Sequence, residues 1–138
     1  MILLFQLCIV SQIGFSQISA DDVIGIWFTE SKDGKVEIYK KNNKYYGKVI
    51  WIAKPNDKNG KPVTDANNPN ASLQKRPILL MDIITDLVYE DGEWSGGNVY
   101  DPKSGDSYNC KIWLEDGKLK VRGYWGLFYD TKTWTRIA

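Results

Sequence analysis

From about residue 23 onward, the chain alternates between runs with apolar residues at every second position and short interruptions rich in Asp, Asn and Gly. Period two is the mark of a strand, whose successive side chains point to opposite faces. Two runs show it cleanly. Tyr108, Cys110, Ile112 and Leu114 share one face, with Asn109 and Lys111 on the other; Leu119, Val121, Gly123 and Trp125 oppose Lys118, Lys120 and Arg122. One apolar and one polar face mean a half-buried antiparallel sheet. The interruptions carry turn chemistry. Asp33-Gly34, Asp91-Gly92 and Asp116-Gly117 supply the positive φ angles of tight hairpins, Asn42-Asn43 is a weaker signal of the same kind, and Asp101-Pro102-Lys103-Ser104-Gly105 reads as a longer loop. The pattern predicts strands over 24–31, 35–41, 45–53, 83–90, 93–100, 106–115, 118–126 and 131–137.

The last five of these strands form one unbroken meander and the first three another. An even number of up-and-down strands leaves the first and last antiparallel, so they can pair and remove both exposed edges. The predicted fold is therefore all-β, a single antiparallel up-and-down barrel of about eight strands, with a two-sheet sandwich as the alternative. One connection, 54–82, is far longer than the others and dense in Pro, Asn and Asp. Connections of that length are functional or disordered. Its Pro and Asx spacing suggests an ordered cover across one barrel end, with a short helical turn from Ala71 to Lys75 capped by Asn70.

The amino-terminal stretch departs from this pattern. Residues 1–20 hold no charge, and Ile2 to Val10 is apolar apart from Gln6. That length suits the hydrophobic region of a signal peptide and is too short to span a bilayer. Small residues at Ser16, Ser19 and Ala20 allow cleavage after Ser16 or after Ala20, leaving 21–138 as a single domain exported to the periplasm or secreted. A basic leader region is missing, since no Lys or Arg precedes Lys32. The rival reading makes the run a buried first strand or helix. Phe5-Gln6-Leu7 before Cys8 does not suit lipidation. With the leader removed, Cys110 is the remaining thiol and falls on the apolar phase of its strand, as an inert buried cysteine would.

Charge and composition narrow the chemistry. With 18 basic and 17 acidic residues, net +1, the chain has no electrostatic footprint for nucleic acid. It contains no histidine, the commonest general base and a component of most triads and zinc sites. No phosphate-cradling loop, nucleophile elbow or dinucleotide fingerprint occurs, so no catalytic residue, metal or cofactor is expected. Asp57, Asn59, Asp65 and Asn67 offer oxygen ligands, but their spacing fails the calcium-loop pattern, and turn capping explains them more simply.

Aromatics are the outlier at 13 %, including six Trp and eight Tyr. Gly25-Ile26-Trp27 opens the first strand and resembles the signature of lipocalin-like (calycin) barrels. That resemblance implies that Trp27 plugs the closed barrel end beside Gly25, with Arg136, or Arg122 one strand earlier, lying across its ring as a cation–π partner. The chain more closely resembles the bacterial DUF2147 family of small exported proteins. The matching blocks include Gly34-Lys35-Val36-Glu37-Ile38-Tyr39, Tyr46-Gly47-Lys48-Val49, Gly60-Lys61-Pro62-Val63-Thr64-Asp65, Asn68-Pro69 and Arg76-Pro77-Ile78-Leu79. Tyr100-Asp101-Pro102-Lys103-Ser104-Gly105, Val121-Arg122-Gly123-Tyr124 and Thr133-Trp134-Thr135-Arg136 complete them. Tyr46 departs from the pattern, standing where many relatives carry Cys. The resemblance implies export and a calycin-type barrel, and it names no reaction.

Two functional readings follow. In the first, the barrel is a binding module for a small apolar or aromatic ligand, lined by Trp51, Tyr100, Tyr108 and Trp125, with Arg76 and Asp65 near the cover supplying polar selectivity. In the second, the barrel is packed solid, and its loop or aromatic surface binds a protein or glycan at the cell envelope. The interior volume discriminates between them.

Overall fold

The computed structural model describes residues 17–138. The apolar run 2–15, with Cys8, lies outside the described residues, as does the stretch before the Ser16 cleavage position.

The period-two runs form eight antiparallel strands: β1 (Gly25–Phe28), β2 (Gly34–Lys41), β3 (Lys44–Ile52), β4 (Asp82–Glu90), β5 (Glu93–Asp101), β6 (Asp106–Glu115), β7 (Lys118–Trp125) and β8 (Phe128–Arg136). Each pairs with the next, and β8 returns to β1 to close the barrel. Closure rests on Trp27 facing Arg136 and Phe28 facing Thr135, extended by Ile26 N–H donating to the Ala138 carbonyl at 2.7 Å. The fold is thus the up-and-down barrel that strand parity predicts, and the sandwich is excluded.

Tight turns sit at three of the four Asx pairs, with Asn42, Asn43, Asp91 and Asp116 all at positive φ; at Asp33-Gly34 the chain instead takes the longer connection 29–33, with the positive φ at Lys32 and Gly34 already in β2. The boundaries differ most at the end of β1, which stops at Phe28 instead of 31, and in the last hairpin. Strand β8 begins at Phe128, earlier than the predicted 131, because Gly126, at φ +60°, turns the chain in two residues without a polar signal. The apolar run Trp125–Tyr129 hides that turn.

The connections define two ends. At one lie the amino-terminal segment 18–24, the turns at 42–43, 91–92 and 116–117, and the carboxyl terminus. At the other lie 29–33, 53–81, 102–105 and 126–127. The first end is filled. Trp27, Trp94, Tyr45, Ile38, Leu87 and Leu119 are fully or almost fully buried there. A single 3-10 turn, Ala20–Val23, forms the floor, and the indoles bond to its backbone: Trp27 Nε1 donates to the Val23 carbonyl and Trp94 Nε1 to the Ala20 carbonyl, each at 3.0 Å. Buried indole N–H groups need such partners, since an unpaired one costs about 1–3 kcal/mol. Tyr45 reaches Asp21 at 2.7 Å and Tyr89 the Ile18 carbonyl at 2.6 Å.

Arg136 completes this end. Its guanidinium lies 4.2 Å from the Trp27 ring and donates to the carbonyls of Ile24 and Asp22. A side chain at Gly25, whose φ is +147°, would strike the Ala138 carbonyl and that guanidinium, so glycine is required there. Arg122 does not share the role. It lies on the outward phase of β7, over the rings of Trp113 at 4.7 Å and Tyr129 at 4.1 Å, with Nε bonded to Thr131.

Candidate functional site

The inward phase changes in size along the barrel. Beyond the floor, the inward residues of β2, β3, β5 and β7 are Val36, Val49, Val99 and Val121, followed by Gly123. Valine and glycine at positions where the lower layers carry Trp, Tyr and Leu leave the same backbone circumference unfilled. The result is a cavity of about 810 Å³ opening between the 29–33, 102–105 and 126–127 connections. Much of its inner wall is hydrocarbon, and Tyr108, Trp125 and Trp134 give it an aromatic side. Tyr108 and Trp125 pack with centroids 5.6 Å apart.

Charged side chains stand at the rim and on β8, where Asp130 and Lys132 share the inward face opposite Gly123 and Val121. Lys103, on the β5–β6 loop, reaches across to Asp33 on the β1–β2 loop in a direct ion pair, while Lys132 pairs with Asp130 at 3.2 Å and Glu30 at 3.9 Å. Partial burial works against the ionised form of Asp33, but hydrogen bonds from Lys103, Ser31 and Thr29 outweigh it and hold the carboxyl at about 2. Asp33 and Lys103 thus tie two mouth loops together.

The long connection is ordered by its own hydrogen bonds, including Asp65 N–H to the Arg76 carbonyl at 2.9 Å and Ile78 N–H to the Val63 carbonyl at 3.2 Å. It contains the expected short helical turn, Ala71–Leu73, capped by the Asn70 side chain on Ser72 N–H. Rather than sealing the mouth, it runs beside β3 and the β5–β6 loop and adds Val63 and Ile78 to the cavity wall. Asn67 Nδ2 fastens it to the carbonyls of Pro102 and Lys103. The candidate calcium ligands are spent in the same way, as Asp57 caps Asn59 and Lys61 N–H. Among the described residues, no group of three or more His, Cys, Asp or Glu side chains is arranged to hold a metal ion.

The predicted ligand contacts separate into three groups. Tyr108 and Trp125 line the cavity as expected. Asp65, Arg76 and Tyr100 come together, but as an anchor for the long connection. Asp65 is fully buried, with Oδ1 accepting from Tyr100 at 2.5 Å and Oδ2 from Asn68 at 2.8 Å and Arg76 at 3.0 Å. Burial opposes its charge, yet these donors keep its carboxyl below the usual range. Burial, then the hydrogen bond to Asp65, pushes the Tyr100 phenol up to about 12. Arg76 and Tyr100 also border a separate polar cleft of about 490 Å³ with Asn98 and Ser107, two residues on the outward phase.

Trp51 is a correction. Alternation from Tyr45, Gly47 and Val49 places it inside, but a bulge sets Val36 opposite Val49 and Lys35 opposite Trp51. The extra residue, Ile50, reverses the phase, as one inserted residue must. Trp51 therefore packs outside, edge-on to Phe28 at 6.0 Å and under Lys35, while Ile52 takes the inward place. Sequence reasoning missed Val36, Val49 and Trp134 as cavity residues. The alternation in β2 and β3 contained the signal for the first two. Nothing local could pair Asp33 with Lys103, which lie 70 residues apart. Cys110, buried below the cavity, has its thiol pushed up to about 12 by burial and is unreactive.

Comparison with known proteins agrees with this geometry. The protein HP1028 from Helicobacter pylori, described as belonging to the lipocalin family, superposes with a TM-score of 0.73 at 24 % identity, over 84 % of this chain and 83 % of that one. At that identity the likeness establishes the fold alone, a lipocalin-like barrel. No curated protein matches. The family model that describes uncharacterized proteins conserved in bacteria matches residues 25–136, from the glycine beside the plug tryptophan to the arginine across it, and the chain belongs to that family, DUF2147.

Proposed function

We propose that this protein is an exported, non-catalytic binding module that holds a small apolar or aromatic ligand in the open half of its barrel. The observation that carries the proposal is the cavity of about 810 Å³, within the roughly 300–1,000 Å³ usual for ligand pockets. Its hydrocarbon wall suits an apolar body, and the charges at the rim and on β8, where Lys132 is paired with Asp130 and Glu30, suit one polar end of the ligand. The lipocalin-like fold is consistent with such a role by analogy. The chain's lack of histidine favours binding over catalysis. Export rests on the uncharged apolar leader, and no helix of the described residues is long and apolar enough to cross a membrane. The test is native mass spectrometry of protein purified from its own host, together with titration by an environment-sensitive apolar dye. Bound ligand, or dye uptake that Val121→Trp abolishes, is expected. Dye uptake unchanged by Val121→Trp, with no co-purified ligand, would refute the assignment to this cavity.

A further inference from the structure

Inward positions of a barrel strand are ordinarily apolar, and β8 departs from that rule. Between Trp134 and the mouth, its inward places are held by Lys132, opposite Val121, and Asp130, opposite Gly123. Both side chains are 56 % exposed, so water in the open half of the barrel solvates them. A ligand that fills the cavity displaces that water, and the charges then need their partners from the ligand. A wholly apolar guest supplies none.

The sign of the missing partner follows from the whole lining. It contains four carboxylates, Glu30, Asp33, Asp101 and Asp130, and two basic groups, Lys103 and Lys132. Four acids less two lysines leave a net −2, in a chain whose total is +1. Lys132 is shared, lying 3.2 Å from Asp130 and 3.9 Å from Glu30. Lys103 pairs with Asp33, while the donors bonded to Asp101 are neutral, the Lys103 N–H and the Ser104 hydroxyl. The aromatic wall points the same way, because electron-rich ring faces attract cations. Trp27, Trp51 and Trp113 each have an arginine or lysine 4.2–4.7 Å from the ring centroid. Among the described residues, no such cation stands over Tyr108, Trp125 or Trp134, the rings of the cavity. Gly123 keeps the space between Asp130 and Tyr108 clear, since a Cβ there would stand 3.3 Å from Cβ and 3.6 Å from Cγ of the tyrosine.

We propose that the cavity takes an organic cation, an amine or quaternary ammonium group carried on an apolar or aromatic body. The body lies along the valine layer, and the cation stands near Asp130, between the surplus carboxylates and the faces of Tyr108 and Trp125. A cation there balances the acids that the two lysines leave over. An anionic head of the same size meets those acids, and a neutral one leaves Asp130 and Lys132 desolvated without compensation. This assignment rests on the cavity reading above and specifies the charge of its ligand.

Competition for a neutral, environment-sensitive apolar dye tests it, with dodecyltrimethylammonium, dodecanol and dodecanoate as probes below their micelle concentrations. Dodecyltrimethylammonium is expected to displace the dye at a concentration about tenfold or more below that of dodecanoate, with dodecanol between them. The double variant Glu30→Gln, Asp130→Asn should lose most of that preference. Asp91→Asn with Asp116→Asn, which removes the same charge at the closed end, should keep it. Circular dichroism confirms that each variant is folded. Dye uptake with equal displacement by the cation and either other probe, or a preference for dodecanoate, overturns the proposal and leaves the cavity reading standing. A cation preference that survives in the Glu30→Gln, Asp130→Asn variant also overturns it, by placing the cation elsewhere. Dye uptake that is absent, or unchanged by Val121→Trp, removes the cavity reading and this proposal together.

Discussion

The closed end and the mouth are built on the same eight strands and differ in what points inward. Below, Trp27, Trp94, Tyr45 and Leu119 fill the cross-section and are tied to the floor turn by indole and phenol hydrogen bonds. Above, Val36, Val49, Val121 and Gly123 leave it empty. Backbone closure sets the circumference, so side-chain volume alone decides whether a layer is core or cavity. The question of a solid or hollow barrel therefore has a divided answer: one half supplies the stability that permits the other to stay open.

The sharpest test exchanges a tryptophan at each end. Trp94→Ala should cost about 3–5 kcal/mol, read as a fall in the urea midpoint. Trp125→Ala, half exposed at the mouth, should cost under about 1 kcal/mol while weakening ligand uptake. Equal losses would erase the distinction between the two halves.

Shortening the chain probes the floor. A chain beginning at Asp21 lacks the Ile18 and Ala20 carbonyls that accept from Tyr89 and Trp94. It should be less stable than one beginning at Gln17 by about 1–3 kcal/mol, the cost of a buried donor left unpaired. On the export reading proposed above, cleavage behind Ser16, which leaves Gln17 first, is the cut that keeps this floor intact. Intact-mass measurement of secreted material checks this, and a mass starting at Asp21 would count against the floor's importance.

Overpacking then separates packed from open layers. Leu119→Trp should destabilise by about 1–3 kcal/mol. Val121→Trp, two residues along the same inward face, should change stability by less than about 1 kcal/mol and block dye uptake. If both destabilise alike, the upper half is not hollow in solution.

The smallest effects concern pH at the mouth. Asp33 has its carboxyl lowered from 3.8 to about 2, so its stabilisation is complete above 3.8 and is lost as pH falls towards 2. Amide exchange in 29–33 and 102–105 should rise over that window with little change at the floor. Asp33→Asn should remove the acid-dependent step at a cost of no more than about 1 kcal/mol. Tyr100 has the opposite sign. Its phenol is raised from 10.0 to about 12, so the anchor to Asp65 holds below 10 and loosens as pH rises through 12. The long connection should then exchange first.

How much was legible follows from which interactions are local. Alternation in β6 and β7 located Tyr108 and Trp125 correctly, because no bulge interrupts those strands. Trp51 is named as a lining residue without such a pattern, and the bulge after Val49 that turns it outward is a property of the β2–β3 pairing and leaves no mark in β3 alone. The sequence reading sets Asp65 and Arg76 near the cover and Tyr100 in the lining; the structure joins all three, and the mutual saturation of their hydrogen bonds is not readable from sequence. Arg136 and Arg122 are both arginines on late strands. Only the register that places Trp27 opposite Arg136 separates them.

The sequence by itself determined the strand number, the three closed-end turns, the parity that demands closure, and the family resemblance that the match over 25–136 bears out. All of these are written in short-range pattern and turn chemistry. The tertiary structure alone decided that the barrel is filled below and hollow above, that the floor is made by residues 18–24, and that Trp125, Leu127 and Phe128 are exposed together at the mouth. Each of those depends on which side chains share a layer or an end. A layer is assembled from strands far apart in sequence, so its volume and its charge exist only once the sheet has closed.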